Sequence, residues 1–378
     1  MTQQRIMIIS VSAGSGHVRA AEALLETANQ QFPDVIAEHI DVMDYVGAGF
    51  RRVYTDFYRQ LIDHAPVLWS YIYQKTDVAQ RSDMSTLLRR GIEQLCTQKL
   101  IGKIRDFKPD HIICTHFLPA ELLSREIQKG RLACPVWVQV TDFDLHSLWV
   151  QPHIRGYFAA NQEVAFKMRQ RGIAAEAIAV TGIPIMPVFS SGLDKQFQCK
   201  ALGLQPQLPT VLLMPGGARF AHVTLLADRL LRISDAIQVI AMAGHHPQRL
   251  EELTALSKKY LGRVVPLGYS TSIERYMAAS DLIVTKPGGL TSSECLAMGL
   301  PMVLVDPIPG QEERNGDYLM EQGVAVKARD MGSFEFKIRQ CLIKPEQLNT
   351  MRQRMLTLAQ PHAAQRVLER VVGVQLTD

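Results

Sequence analysis

The chain has 378 residues, 47% of them hydrophobic, which is enough for two apolar cores. A formal net charge of only +4 argues against a nucleic-acid binder, and six scattered cysteines without C-x-x-C spacing fit neither a disulfide framework nor a zinc site. That cysteine usage suits a reducing cytoplasm, and no stretch approaches the ~20 apolar residues of a membrane-spanning helix, so membrane contact is expected to be peripheral.

In chain order, residues 6–11 form a short β-branched run followed by the loop Gly14-Ser15-Gly16-His17 and a helical pattern through Ala20 and Leu24. The apolar run is too short for a signal peptide and reads as the opening strand of a doubly wound domain. Further buried strands are predicted at 37–40, 111–115, 136–140, 156–159 and 179–180, with helices between them, which implies a parallel sheet. A second opening of the same kind stands at 210–214, followed by Gly216-Gly217, with strands at 238–241, 264–266, 282–285 and 302–305. The fold class is therefore α/β, with two Rossmann-like domains in tandem. The stretch 182–187 and the polar residues 190–200 are the expected hinge, and one helix is predicted over 345–375.

Residues 45–73 hold 8 of the 26 aromatics, including Tyr54, Phe57 and Trp69, with Arg51, Arg52 and Arg59 interleaved. Residues 51–131 carry 14 basic against 9 acidic side chains, so the basic excess of the chain is concentrated there. Aromatic and basic residues in one amphipathic segment suit an anionic lipid surface, although some of these rings must pack in the core.

Chemistry is concentrated at the predicted strand ends. His17 closes a glycine loop at a helix start, where the positive end of the helix dipole is expected to lower an imidazole pKa. Asp142 follows the strand at 136–140, placed to deprotonate an acceptor hydroxyl or to orient His17. His116 follows the strand at 111–115 as a weaker candidate. His146 and Trp149 are expected to shape an acceptor pocket.

In the second half, Lys286-Pro287-Gly288-Gly289 gives a close approach to a helix expected to begin near Thr291, where free N–H groups favour a diphosphate. Thr291-x-x-Glu294 also matches a capping box. Glu294 and Glu312, acceptor-only when ionised, suit paired sugar hydroxyls. The carboxylates are spread over separate loops, so no metal site and no cofactor are expected.

The run K-P-G-G-x-T-x-x-E followed by P-x-P-G-Q-E resembles the donor-site signature of family 28 glycosyltransferases, close to the monogalactosyldiacylglycerol synthase and processive diacylglycerol glucosyltransferase branch. The resemblance extends to Gly14-Ser15-Gly16-His17 and to Thr141-Asp142-Phe143 with His146 and Trp149. It implies a GT-B architecture: an N-terminal acceptor and membrane-contact domain over 1–187, a donor domain over 188–350, the two facing a cleft, and a C-terminal helix over 351–378 returning to the first domain. It implies that Glu294 binds the donor ribose and that Gln311 with Glu312 binds the hexose. Gly216, Gly217 and Arg219 resemble the loop on the donor diphosphate, with Ala218 standing where the related peptidoglycan enzyme has a hydroxyl residue. Tyr269 and Ile273 match the turn that contacts uracil. The implied reaction is inverting, metal-independent transfer of galactose or glucose from UDP-galactose or UDP-glucose to diacylglycerol, at the cytoplasmic face of a membrane containing anionic phospholipids. A transferase acting on an undecaprenyl-linked peptidoglycan precursor, a UDP-sugar 2-epimerase and a non-catalytic nucleotide-sugar sensor are the rival readings.

Overall fold

In the computed structural model, which describes residues 3–12, 14–46, 66–78, 98–214 and 223–373, the β-branched runs become parallel strands in two six-stranded sheets. The first contains β1 (Gln4–Ser10), β2 (Val35–Asp41), β3 (His111–Cys114), β4 (Val136–Gln139), β5 (Gly156–Ala159) and β6 (Ile178–Val180), in the order β2-β1-β3-β4-β5-β6. The second contains β7 (Thr210–Met214), β8 (Gln238–Gly244), β9 (Val264–Gly268), β10 (Leu282–Thr285), β11 (Met302–Leu304) and β12 (Ala325–Lys327), in the order β12-β11-β10-β7-β8-β9. The strand β12 was not expected from the sequence; its three residues are too few to show a pattern.

Each sheet reverses its strand order once: between β1 and β3 in the first, and between β7 and β10 in the second. Loops leaving the carboxyl ends of these neighbours run to opposite faces and leave a crevice between them. Ligand-binding capacity is therefore expected at two places, one per sheet.

The chain divides into a unit of Met1–Pro187, Pro309–Gln311 and Gln360–Asp378 and a second of Val188–Ile308 and Glu312–Ala359. In the first, Met7, Ile9, Ile112, Cys114, Val136 and Val138 face a core shared with the helix Phe117–Gln128 and Trp149. Ile6, Ile8, Ile113, Trp137 and Phe158 point to the other face, where they meet the helix Ser15–Gln31 and the helix Ala363–Val372 through Ala364, Val367, Leu368 and Val371. In the second, Val211, Leu213, Val239, Val284 and Val303 pack on Leu230, Phe334, Ile338 and Met351. Near-continuous apolar strands follow from burial on both faces.

Two elements differ from the sequence reading. The single helix over 345–375 is two: Pro345–Leu358 packs in the second unit and Ala363–Val372 in the first. Pro361 lies in the break, where the missing N–H and the ring favour an extended preceding residue. The polar stretch read as hinge contains the helix Lys195–Ala201, capped by Asp194, whose carboxylate accepts from Phe197 N at 2.6 Å.

Gly182 leads out of the first sheet with φ of 88°. Its carbonyl accepts from Gln139 Nε2 at 3.0 Å, and a Cβ at this position would collide with the side chain of Gln360. Both the backbone region and the space thus require glycine. Gly182→Ala is expected to destabilise the protein by about 2–4 kcal/mol, read as a lowered urea midpoint, because strain and overpacking act together. A midpoint equal to wild type would mean that the Gln360 segment moves aside freely.

Candidate active site

At the reversal in the first sheet, His17 is the third residue of the helix Ser15–Gln31, whose N-cap is Gly14. Its Nδ1 lies 3.0 Å from the Thr115 carbonyl and 2.8 Å from Thr141 Oγ1. Thr115 Oγ1 donates in return to the His17 carbonyl at 2.9 Å. A carbonyl only accepts, so Nδ1 carries the proton and Nε2 keeps the lone pair. Three strand ends, those of β1, β3 and β4, thus converge on one imidazole.

Burial pushes the His17 pKa down to about 4, with the hydrogen bond to the Thr115 carbonyl acting in the opposite direction. The sequence reading foresaw the direction but assigned it to the helix dipole; desolvation of the ring is the larger cause. His116 lies edge-on to His17, with centroids 4.5 Å apart at 86°. Burial holds its pKa well below the usual histidine value, and the proximity of His17 adds to the depression. His116 Nδ1 accepts from Leu118 N at 3.0 Å and so caps the helix Phe117–Gln128. Asp142 is half-buried in the loop after β4, next to Thr141.

His146 and Trp149 are not walls of an open pocket. Trp149 is 2% exposed, in the core, with its ring 6.1 Å from His17 and 6.3 Å from His116. His146 is buried, accepts from Leu148 N at 3.2 Å and donates through Nε2 to the Tyr73 carbonyl at 2.9 Å. That bond fastens the helix Pro66–Val78 to the loop after β4, together with Asp77, which accepts from Ser147 N at 2.9 Å. Trp69, expected on the lipid side, is half-buried with its ring 6.2 Å from Tyr73. Leu68 and Tyr71 occupy the outer side instead, with Lys75 Nζ 5.5 Å from the Tyr71 ring. Arg51, Arg52, Tyr54, Phe57 and Arg59 lie outside the described residues.

At the reversal in the second sheet, β10 runs into Lys286-Pro287-Gly288 and the helix Gly289–Met298. The helix starts at Gly289 rather than near Thr291, and its N-cap is Gly288 with no side-chain cap. The capping-box reading of Thr291 and Glu294 therefore does not hold. The first intrahelical bond is Ser292 N to the Gly288 carbonyl at 2.9 Å, so the N–H groups of Gly289, Leu290 and Thr291 precede any intrahelical acceptor. Glu294 is buried one turn further on.

The helix Gln311–Glu321 crosses this loop through Gly316, where a Cβ would stand 3.3 Å from Pro287 Cγ. Glu312 Oε2 accepts from Ile308 N at 2.6 Å and stands 3.8 Å from Lys286 Nζ. The two sequence motifs thus meet through one charge pair. Tyr269, 63% exposed after β9, is stacked on His245 after β8, with centroids 4.1 Å apart at 19°. Ile273 is half-buried at the start of the helix Ile273–Ala278. Gly216, Gly217 and Arg219 lie outside the described residues. Among the described residues, no group of three or more His, Cys, Asp or Glu side chains is arranged to hold a metal ion.

The sequence reading missed three side chains here. Thr115 and Thr141 lie just past the ends of β3 and β4, where their neighbours, His116 and Asp142, drew attention by their charge-bearing chemistry. His245 stands directly after the glycine that ends β8, which is the signal that marks His17.

Comparison with known proteins follows the same division. A family model described as monogalactosyldiacylglycerol (MGDG) synthase matches residues 17–185, and one described as the glycosyltransferase family 28 C-terminal domain matches residues 210–367. A processive diacylglycerol beta-glucosyltransferase of Bacillus pumilus is 27% identical over 98% of this chain and 95% of its own length. One from Staphylococcus carnosus is 28% identical over 85% of this chain and 80% of its own. Among solved structures, S. aureus MnaA with UDP superposes with a TM-score of 0.65 at 14% identity, covering 97% of this chain and 96% of that one. Acinetobacter baumannii MurG does so at 0.64 and 16%, covering 98% and 100%. Two doubly wound units with the last helix returned to the first define a GT-B fold. The chain belongs to the family 28 glycosyltransferases, in the branch of the monogalactosyldiacylglycerol synthases and processive diacylglycerol glucosyltransferases.

The depressed His17 pKa links stability to pH. The folded pKa lies below the unfolded value of 6.5, so the unfolded chain takes up a proton first as the pH falls from 6.5 toward about 4. The stability associated with a neutral His17 is fully present above that window and is lost within it. His17→Gln is therefore expected to flatten the fall in urea midpoint between these pH values. An unchanged slope would place the acid sensitivity elsewhere.

Proposed function

We propose that the protein is an inverting, metal-independent glycosyltransferase that moves a hexose from a UDP-sugar to diacylglycerol, forming a monohexosyldiacylglycerol. The observation that carries this reading is a coincidence of position. The first family match covers β2 to β6 and starts at His17, the second covers all of β7 to β12, and each sheet presents its polar residues at its own strand-order reversal. The relatives are named for glucosyl transfer, so UDP-glucose is the donor to test first, with UDP-galactose as the alternative. The structures of MurG and of UDP-N-acetylglucosamine 2-epimerases are similar at 12–16% identity, which carries the fold alone.

In the second unit, the N–H groups of Gly289, Leu290 and Thr291, with Gly216 and Gly217, receive the diphosphate, and Lys286 and Arg219 offset its charge. Tyr269 on His245, with Ile273, receives the base. Glu294 takes the ribose hydroxyls, and Gln311 with Glu312 takes the hexose. As the bond from the anomeric carbon to phosphate breaks, these fixed donors stabilise the leaving UDP. In the first unit, His17 Nε2 removes the proton of the attacking glycerol hydroxyl, with Asp142 in the loop after β4 as the second candidate base and His116 edge-on to the ring.

The acceptor is a membrane lipid, and no helix among the described residues is long and apolar enough to cross a bilayer. We assign the contact with anionic phospholipid at the inner face of the cell membrane to Leu68, Tyr71 and Lys75 and, from the sequence pattern alone, to Arg51, Arg52, Arg59, Tyr54 and Phe57.

Radiolabelled UDP-glucose or UDP-galactose with diacylglycerol vesicles is expected to give a labelled monohexosyl lipid, at a rate unchanged by EDTA. Absence of lipid-soluble label from both donors overturns the substrate assignment. Loss of activity on chelation, restored by Mg²⁺, overturns the metal-independent account of the leaving group.

Glu294→Gln is expected to weaken UDP itself, and Glu312→Gln only the intact sugar nucleotide, each by about tenfold, as for loss of one charge-assisted hydrogen bond. Glutamine is the informative substitution at 312 because it still accepts from Ile308 N. Calorimetry with UDP and UDP-glucose separates the two; equal weakening of UDP by both contradicts the assignment.

A further inference from the structure

We infer that Thr141 and Thr115 are positioning residues that hold His17 in the Nδ1–H tautomer and so direct the Nε2 lone pair to the acceptor hydroxyl. The inference deepens the reading of His17 as the base and rests on it for its kinetic consequence. Its structural part stands on the geometry of the first sheet.

The argument turns on which groups can only accept. The Thr115 carbonyl, 3.0 Å from Nδ1, has no proton to give, so an Nδ1 lone pair aimed at it would be repelled. With the proton on Nδ1, the same carbonyl and Thr141 Oγ1 at 2.8 Å share it. Both threonines are buried, so water does not compete for this proton. Thr115 is itself fixed, because its hydroxyl donates to the His17 carbonyl at 2.9 Å and its N–H donates to the Ile9 carbonyl at 3.0 Å. The rings of His116 and Trp149 lie beside the imidazole, with centroids 4.5 and 6.1 Å away. The imidazole therefore has one orientation and one tautomer.

The groups serve the reaction in one defined way. The acceptor O–H bond breaks and Nε2–H forms, while oxygen bonds to the anomeric carbon and UDP departs with the electron pair of the broken C–O bond. The ring becomes an imidazolium in a place where burial disfavours charge. Its Nδ1–H then points at two fixed oxygens, which offset part of that cost. Thr141 contributes through His17 and touches no substrate.

The test uses the full-length protein with ¹⁵N-labelled histidine. Long-range ¹H–¹⁵N correlation is expected to show His17 as Nδ1–H above pH 6.5. Thr141→Val, which keeps the shape and removes the hydroxyl, is expected to lower kcat about tenfold with the KM for UDP-hexose unchanged, as for one hydrogen bond to a charged group. It should also move the His17 titration to lower pH, since an acceptor for the charged form is gone. Thr141→Ser is expected to restore most of kcat and the wild-type titration.

An Nε2–H tautomer in the wild type overturns the inference. So does a Thr141→Val enzyme with wild-type kcat, or a Thr141→Ser enzyme as impaired as Thr141→Val. A wild-type protein inert toward diacylglycerol but carrying Nδ1–H would sink the acceptor reading while supporting this one, so the two failures are distinguishable.

Discussion

Parallel strands joined by right-handed crossovers can diverge at only one point in a sheet of this kind, and both sheets here obey that constraint. Where β1 and β3 lie side by side, the chain leaves one toward one face and the other toward the opposite face. The space between belongs to neither connection. His17 and Thr115 occupy it in the first sheet, and the Lys286-Pro287-Gly288 turn occupies the corresponding place beside β7 in the second. No separate scaffold is needed for either group of residues; the order of strands is the scaffold.

The two places are electrostatically unlike. In the first, a half-buried titratable ring stands among uncharged partners, and its neutral form is favoured by the loss of solvation. In the second, a helix start without a side-chain cap stands beside a lysine that meets a glutamate at 3.8 Å, too far apart to be a tight pair. A neutral acceptor of protons suits the one and an anionic ligand suits the other. The division follows from the residues at each strand end and from little else in the surrounding fold.

Much of this was legible in the sequence because the decisive signals are local. A β-branched run ending in glycines marks both openings, and the K-P-G-G and P-G-Q-E motifs fall within thirty residues of each other. What escaped was set by contacts far apart in the chain. Thr141 and His17 are separated by 124 positions, and no pattern along the chain pairs a threonine hydroxyl with that ring. Trp149 and His146 read as exposed recognition residues because of their chemistry, yet packing claimed one and hydrogen bonding the other. The break at 359–362 was missed because residues on both sides favour helix, and only Pro361 interrupts them.

The helix Ala363–Val372 supplies Ala364, Val367, Leu368 and Val371 to a core that begins with Ile6 and Ile8. The strand β1 is thus packed in part by a helix that follows it only after the whole second unit. At the usual pace of about 5–20 residues per second, the part of that face not covered by the helix Ser15–Gln31 waits some tens of seconds for its partner while the second unit is synthesised. For this period the nascent chain displays a strip of aliphatic side chains to whatever chaperone or lipid is at hand. The order of synthesis thus sets how long those side chains wait for the helix that packs on them.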